Sequence, residues 1–162
     1  MDDKLKRDII LEHYQNPMHR GFIDNNNYIK VNSRNESCVD NITIALLIDK
    51  DVIIDARFEG EACAICTSAT SVMIKTIIGK KIDEARKIIK NFNNMINEEE
   101  YDINILEELN IYDTVYRQPN RKNCALLPFK AVRDIIGVVA YLFGNLSLIS
   151  LSVSIPLRLG IL

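Results

Sequence analysis

Two β-branched runs separated by a short polar turn constrain this chain more than any other feature. Ile42-Thr43-Ile44-Ala45-Leu46-Leu47-Ile48 ends at Asp49-Lys50-Asp51, and Val52-Ile53-Ile54-Asp55-Ala56-Arg57-Phe58 resumes at once. Side chains branched at Cβ are stiff in χ1 and suit the extended, pleated backbone. A turn this short sends the second run back along the first, so the pair predicts an antiparallel hairpin with Gly60 closing its second strand. Tyr28 to Val31 begins a further strand.

Helical patterns flank the hairpin. Leu5, Ile9, Ile10 and Tyr14 recur near helical spacing until Asn16-Pro17, which predicts a helix over Leu5 to Gln15. Ala64 to Ile78 predicts a second helix, with Gly79 where a C-cap belongs. Asp83 is placed to cap a third, through Glu84-Ala85-Arg86-Lys87-Ile88-Ile89. The acidic, Asn-rich stretch from Asn93 to Asp113 reads as a short helix flanked by loops, broken off by Pro119. Cys124 to Ile136 makes a final helix with a bend at Pro128.

The sequence divides into 1–136, which carries all of these elements, and 137–162, an apolar C-terminal extension. No charged residue stands between Asp134 and Arg158. The run reaches the lower range for a membrane span. Gly137, Gly144, Asn145, Pro156 and four serines interrupt it, however, and no basic cluster flanks its far end. It is therefore read as a core-packed extension, or as a terminus altered by a reading-frame change, in preference to a membrane helix, and its role is unknown.

With 162 residues and 48% hydrophobic content, one domain can bury a core of its own. A net charge of −2 provides no overall basic surface for nucleic acid. The charged N-terminus, Met1-Asp2-Asp3-Lys4-Leu5-Lys6, lacks the apolar core of a secretory signal. Four cysteines in such a chain point to the reducing cytoplasm, where clustered thiols hold metal or do chemistry.

Three of those cysteines stand at junctions between elements. Cys38 and Asp40 precede the first hairpin strand, Cys63 follows the second and opens a helix, and Cys124 opens the last helix. Unpaired N–H groups at a helix start favour thiolate over thiol, and Arg121 and Lys122 add to that field beside Cys124. Three thiolates and one carboxylate suit zinc better than calcium or magnesium. Taken singly, each cysteine also reads as a small hydrophobe and Asp40 as a turn residue, and the spacing alone does not choose.

Cys63-Ala64-Ile65-Cys66 forms a C-x-x-C pair, but no βαβ pattern surrounds it, so Cys66 is read as packing inward. His13 and His19 read as capping or surface residues. Gly79-Lys80-Lys81 lacks the glycine-rich loop of a phosphate site, and Glu98-Glu99-Glu100 is a solvated face.

Four segments occur in order: Ile10-Leu11-Glu12-His13-Tyr14-Gln15-Asn16-Pro17, Cys38-Val39-Asp40, Phe58-Glu59-Gly60-Glu61-Ala62-Cys63-Ala64-Ile65 and Arg121-Lys122-Asn123-Cys124-Ala125-Leu126-Leu127. Together they resemble the U-type iron–sulfur assembly proteins over Leu5 to Ile136, most closely the SufU branch. Asn123 stands where IscU-type scaffolds usually carry a histidine, and the stretch around Asn93 to Asp113 is extra; both look like SufU.

The resemblance implies an α+β fold of the SufE/IscU-like kind, a small antiparallel β-sheet of about three strands with helices packed on one face. It implies Zn2+ held by Cys38, Asp40, Cys63 and Cys124, and sulfur transfer from a SufS-type, pyridoxal-phosphate cysteine desulfurase toward downstream iron–sulfur assembly proteins. In that mechanism a desulfurase histidine replaces one cysteine on the zinc, and the freed thiolate, matching Cys38, attacks the persulfide. The alternative is a scaffold that assembles a [2Fe–2S] cluster on the same ligands. Departures are Val39 and Ala62 in place of family glycines and Cys66 in place of serine. Valine would be strained if its glycine counterpart has positive φ.

Overall fold

The computed structural model describes residues 1–152, with side chains described through residue 144. Lys50 and Asp51 both adopt positive φ, 47° and 70°, so a two-residue turn joins β2 (Asn41–Asp49) to β3 (Val52–Glu61). Two successive left-handed residues match the right-handed twist of the strands they connect. β1 (Ile29–Arg34) pairs antiparallel with the other side of β2, giving the order β1-β2-β3. A register shift between Leu47 and Ile48 marks a bulge near the hairpin end.

One face of this sheet is apolar. Ile42, Ile44 and Leu46 of β2 and Ile53, Ala56 and Phe58 of β3 are essentially sealed from solvent. α2 (Ala64–Ile77) and α5 (Pro119–Ser152) cover them. α1 (Asp3–Gln15) packs on the far side of α2. This leaves α2 buried from Cys66 to Ile74. Two of its interior hydroxyls are satisfied within the helix: Thr70 Oγ1 donates to the Cys66 carbonyl at 2.7 Å and Thr76 Oγ1 to that of Val72 at 2.8 Å.

α3 (Ile82–Ile96) closes the core through Phe92, which stacks on Phe129 of α5 at 3.9 Å between centroids and meets Tyr112 edge-on at 6.0 Å. The architecture is α+β, a three-stranded antiparallel sheet with helices packed on one face, as the sequence led one to expect.

Several boundaries differ from the sequence reading. The N-cap of α3 is Lys81, not Asp83, and Glu84 accepts the Lys81 N–H at 2.8 Å. Asp83 lies in the first turn, where the helix field favours a negative charge equally. The stretch from Asn93 to Asp113 is not one helix: Asn93 to Ile96 finish α3, then come α4 (Ile103–Leu106) and a 3₁₀ turn, Glu107–Tyr112. The run is too rich in Asn and Asp for a longer helix.

Pro119 does end the preceding segment, but it also starts α5. Proline lacks an N–H that the first helical position would leave unbonded. α5 continues past Pro128, past Ile136 and through the boundary at 136/137, with Val139 buried at 3% exposure. Residues 153–162 of the apolar extension lie outside the described residues. Among the described residues no helix is long and apolar enough to cross a membrane.

Candidate metal centre

Gly60 makes the approach to the site feasible. It faces Ile42 across the sheet with φ +126°, and a Cβ there would sit 2.1 Å from the Asn41 carbonyl oxygen. Only glycine tolerates both the angle and the contact. The start of β2 and the end of β3 therefore close on each other, and the residues just outside them, Asp40 and Cys63, meet. Cys63 N–H donates to Asp40 Oδ1 at 2.7 Å.

Asn35 shapes the loop between β1 and β2. Its N–H donates to the Asp40 carbonyl at 3.0 Å, its carbonyl accepts from Cys38 N–H at 3.1 Å, and its side-chain oxygen accepts from Ser37. Its side-chain Nδ2 reaches across to Cys124 Sγ at 3.6 Å. Sequence reasoning missed this residue. The signal was available in Asn35-Glu36-Ser37, a turn-forming triplet directly before Cys38.

Cys63 is the N-cap of α2, and its Sγ accepts the Cys66 N–H at 3.4 Å. Cys124 does not open its helix. It stands in the second turn of α5, and its thiol leans on the Asn120 carbonyl at 3.5 Å. The field of a helix start falls off within a turn, so the local positive charge there comes from Arg121 instead. The neighbouring sulfurs, Cys63 first and then Cys124, hold the Arg121 guanidinium above its ordinary value. Pro128 has no N–H for the Cys124 carbonyl four residues back, which loosens the helix at this position.

One ligand atom each from Cys38, Asp40, Cys63 and Cys124 lies within 4.8 Å of every other. A tetrahedral ion with bonds of about 2.3 Å keeps its ligands about 3.8 Å apart, so a contraction of about 1 Å completes the set. Asp40 is 2% exposed, and its Oδ2 has no hydrogen-bond partner. A buried carboxylate oxygen is costly to leave unmatched, and a cation resolves that cost.

Burial opposes the Asp40 charge, but the Cys63 N–H and contacts with Cys124, Cys63 and Asn35 outweigh it and hold the carboxyl below its usual range. Burial pushes the Cys63 thiol up, and the Asp40 charge adds to it. Cys124 moves up by the same two causes, burial first. One ionised carboxylate beside reluctant thiols is a donor set that a soft-to-borderline dication fits.

The other sequence candidates fall elsewhere. Cys66 is sealed in the core, pointing inward as expected, with its thiol pushed well up by burial. His13 bridges Ser71 and Glu108 at 2.8 and 2.7 Å, and His19 meets Asp55 at 3.0 Å; neither joins the four-residue group. Val39 and Ala62 both lie outside the left-handed region, so the substituted glycines bring no backbone strain.

A three-stranded sheet with a Cys3Asp cluster at one end defines a class of small α+β proteins with a candidate metal centre. Residues 5–125 match the family described as the NifU-like N terminal domain, and the chain belongs to that family. It is 37% identical over 144 residues to the zinc-dependent sulfurtransferase SufU of Bacillus subtilis, covering 88% of this chain and 95% of that protein. It is 30% identical over 125 residues to the iron–sulfur cluster assembly scaffold protein IscU of Thermotoga maritima, covering 77% and 87%. Among solved structures, the FiSufU protein of Fervidobacterium islandicum AW-1, assigned to iron–sulfur cluster assembly in the SUF system, superposes with a TM-score of 0.73. That pair shares 36% identity, covering 77% of this chain and 91% of the other.

Proposed function

We propose that this chain is a zinc-dependent sulfur acceptor in iron–sulfur cluster assembly, taking persulfide sulfur from a SufS-type cysteine desulfurase in the cytoplasm. The convergence of Cys38, Asp40, Cys63 and Cys124 within 4.8 Å carries this reading, and the relationship to a zinc-dependent sulfurtransferase supports it. Cys38, Asp40, Cys63 and Cys124 would hold the ion. When bound, zinc stabilises sulfur as thiolate at neutral pH and brings no redox chemistry of its own.

Cys38 is the sulfur acceptor in this reading. Cys63 Sγ is tied to the start of α2, and Cys124 Sγ is held by Asn35 and Asn120. Cys38 Sγ has no hydrogen-bond partner among the described residues and sits on a loop, so it moves with least loss. Its thiolate attacks the terminal sulfur of the desulfurase persulfide. A new S–S bond forms on Cys38, the old S–S bond breaks, and the desulfurase cysteine leaves as thiolate. Arg121, exposed beside the thiols, places positive charge where sulfur anions come and go.

The test is metal content of protein purified without oxygen, together with desulfurase turnover of cysteine in its presence. One zinc per chain, no visible chromophore and a stimulation lost in Cys38→Ala are expected. The second reading, a [2Fe–2S] scaffold, is favoured by the IscU relative. It replaces the first if zinc abolishes the stimulation while iron and sulfide give a stable coloured cluster.

A further inference from the structure

The chain has a net charge of −2, yet one groove of about 680 Å³ gathers Arg34, Arg86, Lys90, Lys130 and Arg133 against one acid, Glu36. All five cations are exposed. Arg86 pairs with Asp83 at 2.9 Å. The other four have no carboxylate within 4.0 Å among the described residues. So much unmatched charge of one sign is complementary to an acidic occupant.

The shape points to the kind of occupant. The groove runs between α3, which supplies Arg86 and Lys90 one turn apart, and α5. On α5 the lining residues Asn123, Leu126, Lys130, Arg133 and Gly137 recur every three or four positions and so share one face. That stripe is about 21 Å long at a rise of about 1.5 Å per residue, the length of a helix of about 14 residues. Half-buried Leu126 gives the wall an apolar component between the cations, backed by Leu127 and Ile136 of the core beneath it.

Gly137 is an independent sign. It lies inside α5, where glycine destabilises relative to alanine. A Cβ at that position would meet nothing within 4 Å among the described residues, so no packing there requires its absence. The bare backbone faces the groove it lines.

We propose that this groove seats an acidic amphipathic helix of a partner protein, its apolar side on α5 and its carboxylates against the five cations. A small anion would need cations converging on one point, whereas these are strung along two helices and the end of β1. The chain's own residues 145–162 contain one arginine and no acid, the wrong charge for this groove. Asn35 lines the groove and also donates to Cys124 Sγ, so the seated helix abuts the metal centre and gives a visiting protein a second hold.

Anisotropy of a labelled synthetic peptide tests this, using the full-length protein. The peptide has about 14 residues, with Leu at helical i, i+3, i+4 and i+7 spacing and Glu elsewhere. It should bind about tenfold more tightly than a scrambled peptide of the same composition and weaken several-fold between about 0.05 and about 0.2 M salt. Binding should be lost in Arg86→Glu/Lys90→Glu and in Lys130→Glu/Arg133→Glu, and weakened in Gly137→Gln, with zinc content and melting temperature unchanged in the charge variants. Equal binding of the scrambled peptide would overturn the proposal. So would displacement by millimolar inorganic phosphate, or a self-association of the protein that the same charge variants abolish, which would make a second copy the occupant.

Discussion

Asp40 accepts the backbone N–H of Cys63 through one carboxylate oxygen at 2.7 Å and leaves its other oxygen buried without a partner. The two oxygens have separable tasks: Oδ1 ties the β1–β2 loop to the start of α2, and Oδ2 is available to a cation.

That separation predicts different outcomes for two substitutions. Asp40→Asn keeps a carbonyl oxygen for the Cys63 N–H and should leave the metal-free melting temperature within a few degrees. It should weaken zinc binding by about 10–100-fold, since one anionic ligand is gone. Asp40→Ala should lose both. Competition against a chromophoric chelator reads the affinity. Equal zinc binding in wild type and Asp40→Asn would remove Asp40 from the ligand set.

Removing zinc should lower stability without unfolding the chain. Cys124 belongs to the core from Ile42 to Val139, but most of that core is apolar packing among side chains that are not candidate ligands, unlike that of a zinc finger. At about a thousandfold excess of zinc over its dissociation constant the ion contributes about 4 kcal/mol. For a chain of this length that corresponds to a fall of about 8–16 °C in Tm after chelation. Far-UV circular dichroism at 25 °C should be unaltered, and a collapse of helical signal would contradict this picture.

Glu108 governs part of the acid limb of stability. Burial works against its charge, but hydrogen bonds from Lys75 and His13 outweigh it and hold the carboxyl below its ordinary 4.5. A depressed carboxyl contributes stability that is fully present above its unfolded value and is lost as pH falls through the folded one. Stability should therefore decline below pH 4.5, and Glu108→Gln should flatten the decline while lowering stability at neutral pH. Denaturant midpoints at pH 3, 4, 5 and 7 test the slope. An identical slope in the variant would dismiss Glu108.

Gly60→Ala should be among the most damaging single-methyl additions in the chain. The new Cβ would press on the Asn41 carbonyl and adopt a positive φ, at a cost of about 2–3 kcal/mol. A fall in Tm of about 5–10 °C is expected. Zinc affinity should fall with it, because the strand ends that carry Asp40 and Cys63 are pushed apart. An alanine variant with undiminished zinc binding would show that the close approach is unnecessary.

The hairpin and the α2 boundaries were legible because each rests on local chemistry, β-branched runs and Gly79 after the helix. Cys38, Asp40, Cys63 and Cys124, in contrast, were chosen as a set only through the family resemblance, and Cys124 stands inside its helix rather than at its start. The start of α5 was not legible, because Pro119 reads equally as a stop and as a first helical residue, and only packing of Ala125 and Phe129 against the core decides. Asn35 escaped notice because its side chain acts on a cysteine remote in sequence. The basic groove was hidden for a similar reason. Its cations come from β1, α3 and α5, and a net charge averages them away.

The spread of the four ligands along the chain also orders events in the life of the molecule. Cys38, Asp40 and Cys63 are brought together by the sheet, but Cys124 arrives only when α5 docks on it. A chain still being synthesised, or one whose last helix has detached, offers three ligands and binds the ion less firmly. Under the proposed reading, full metal loading therefore requires that α5 has docked on the sheet.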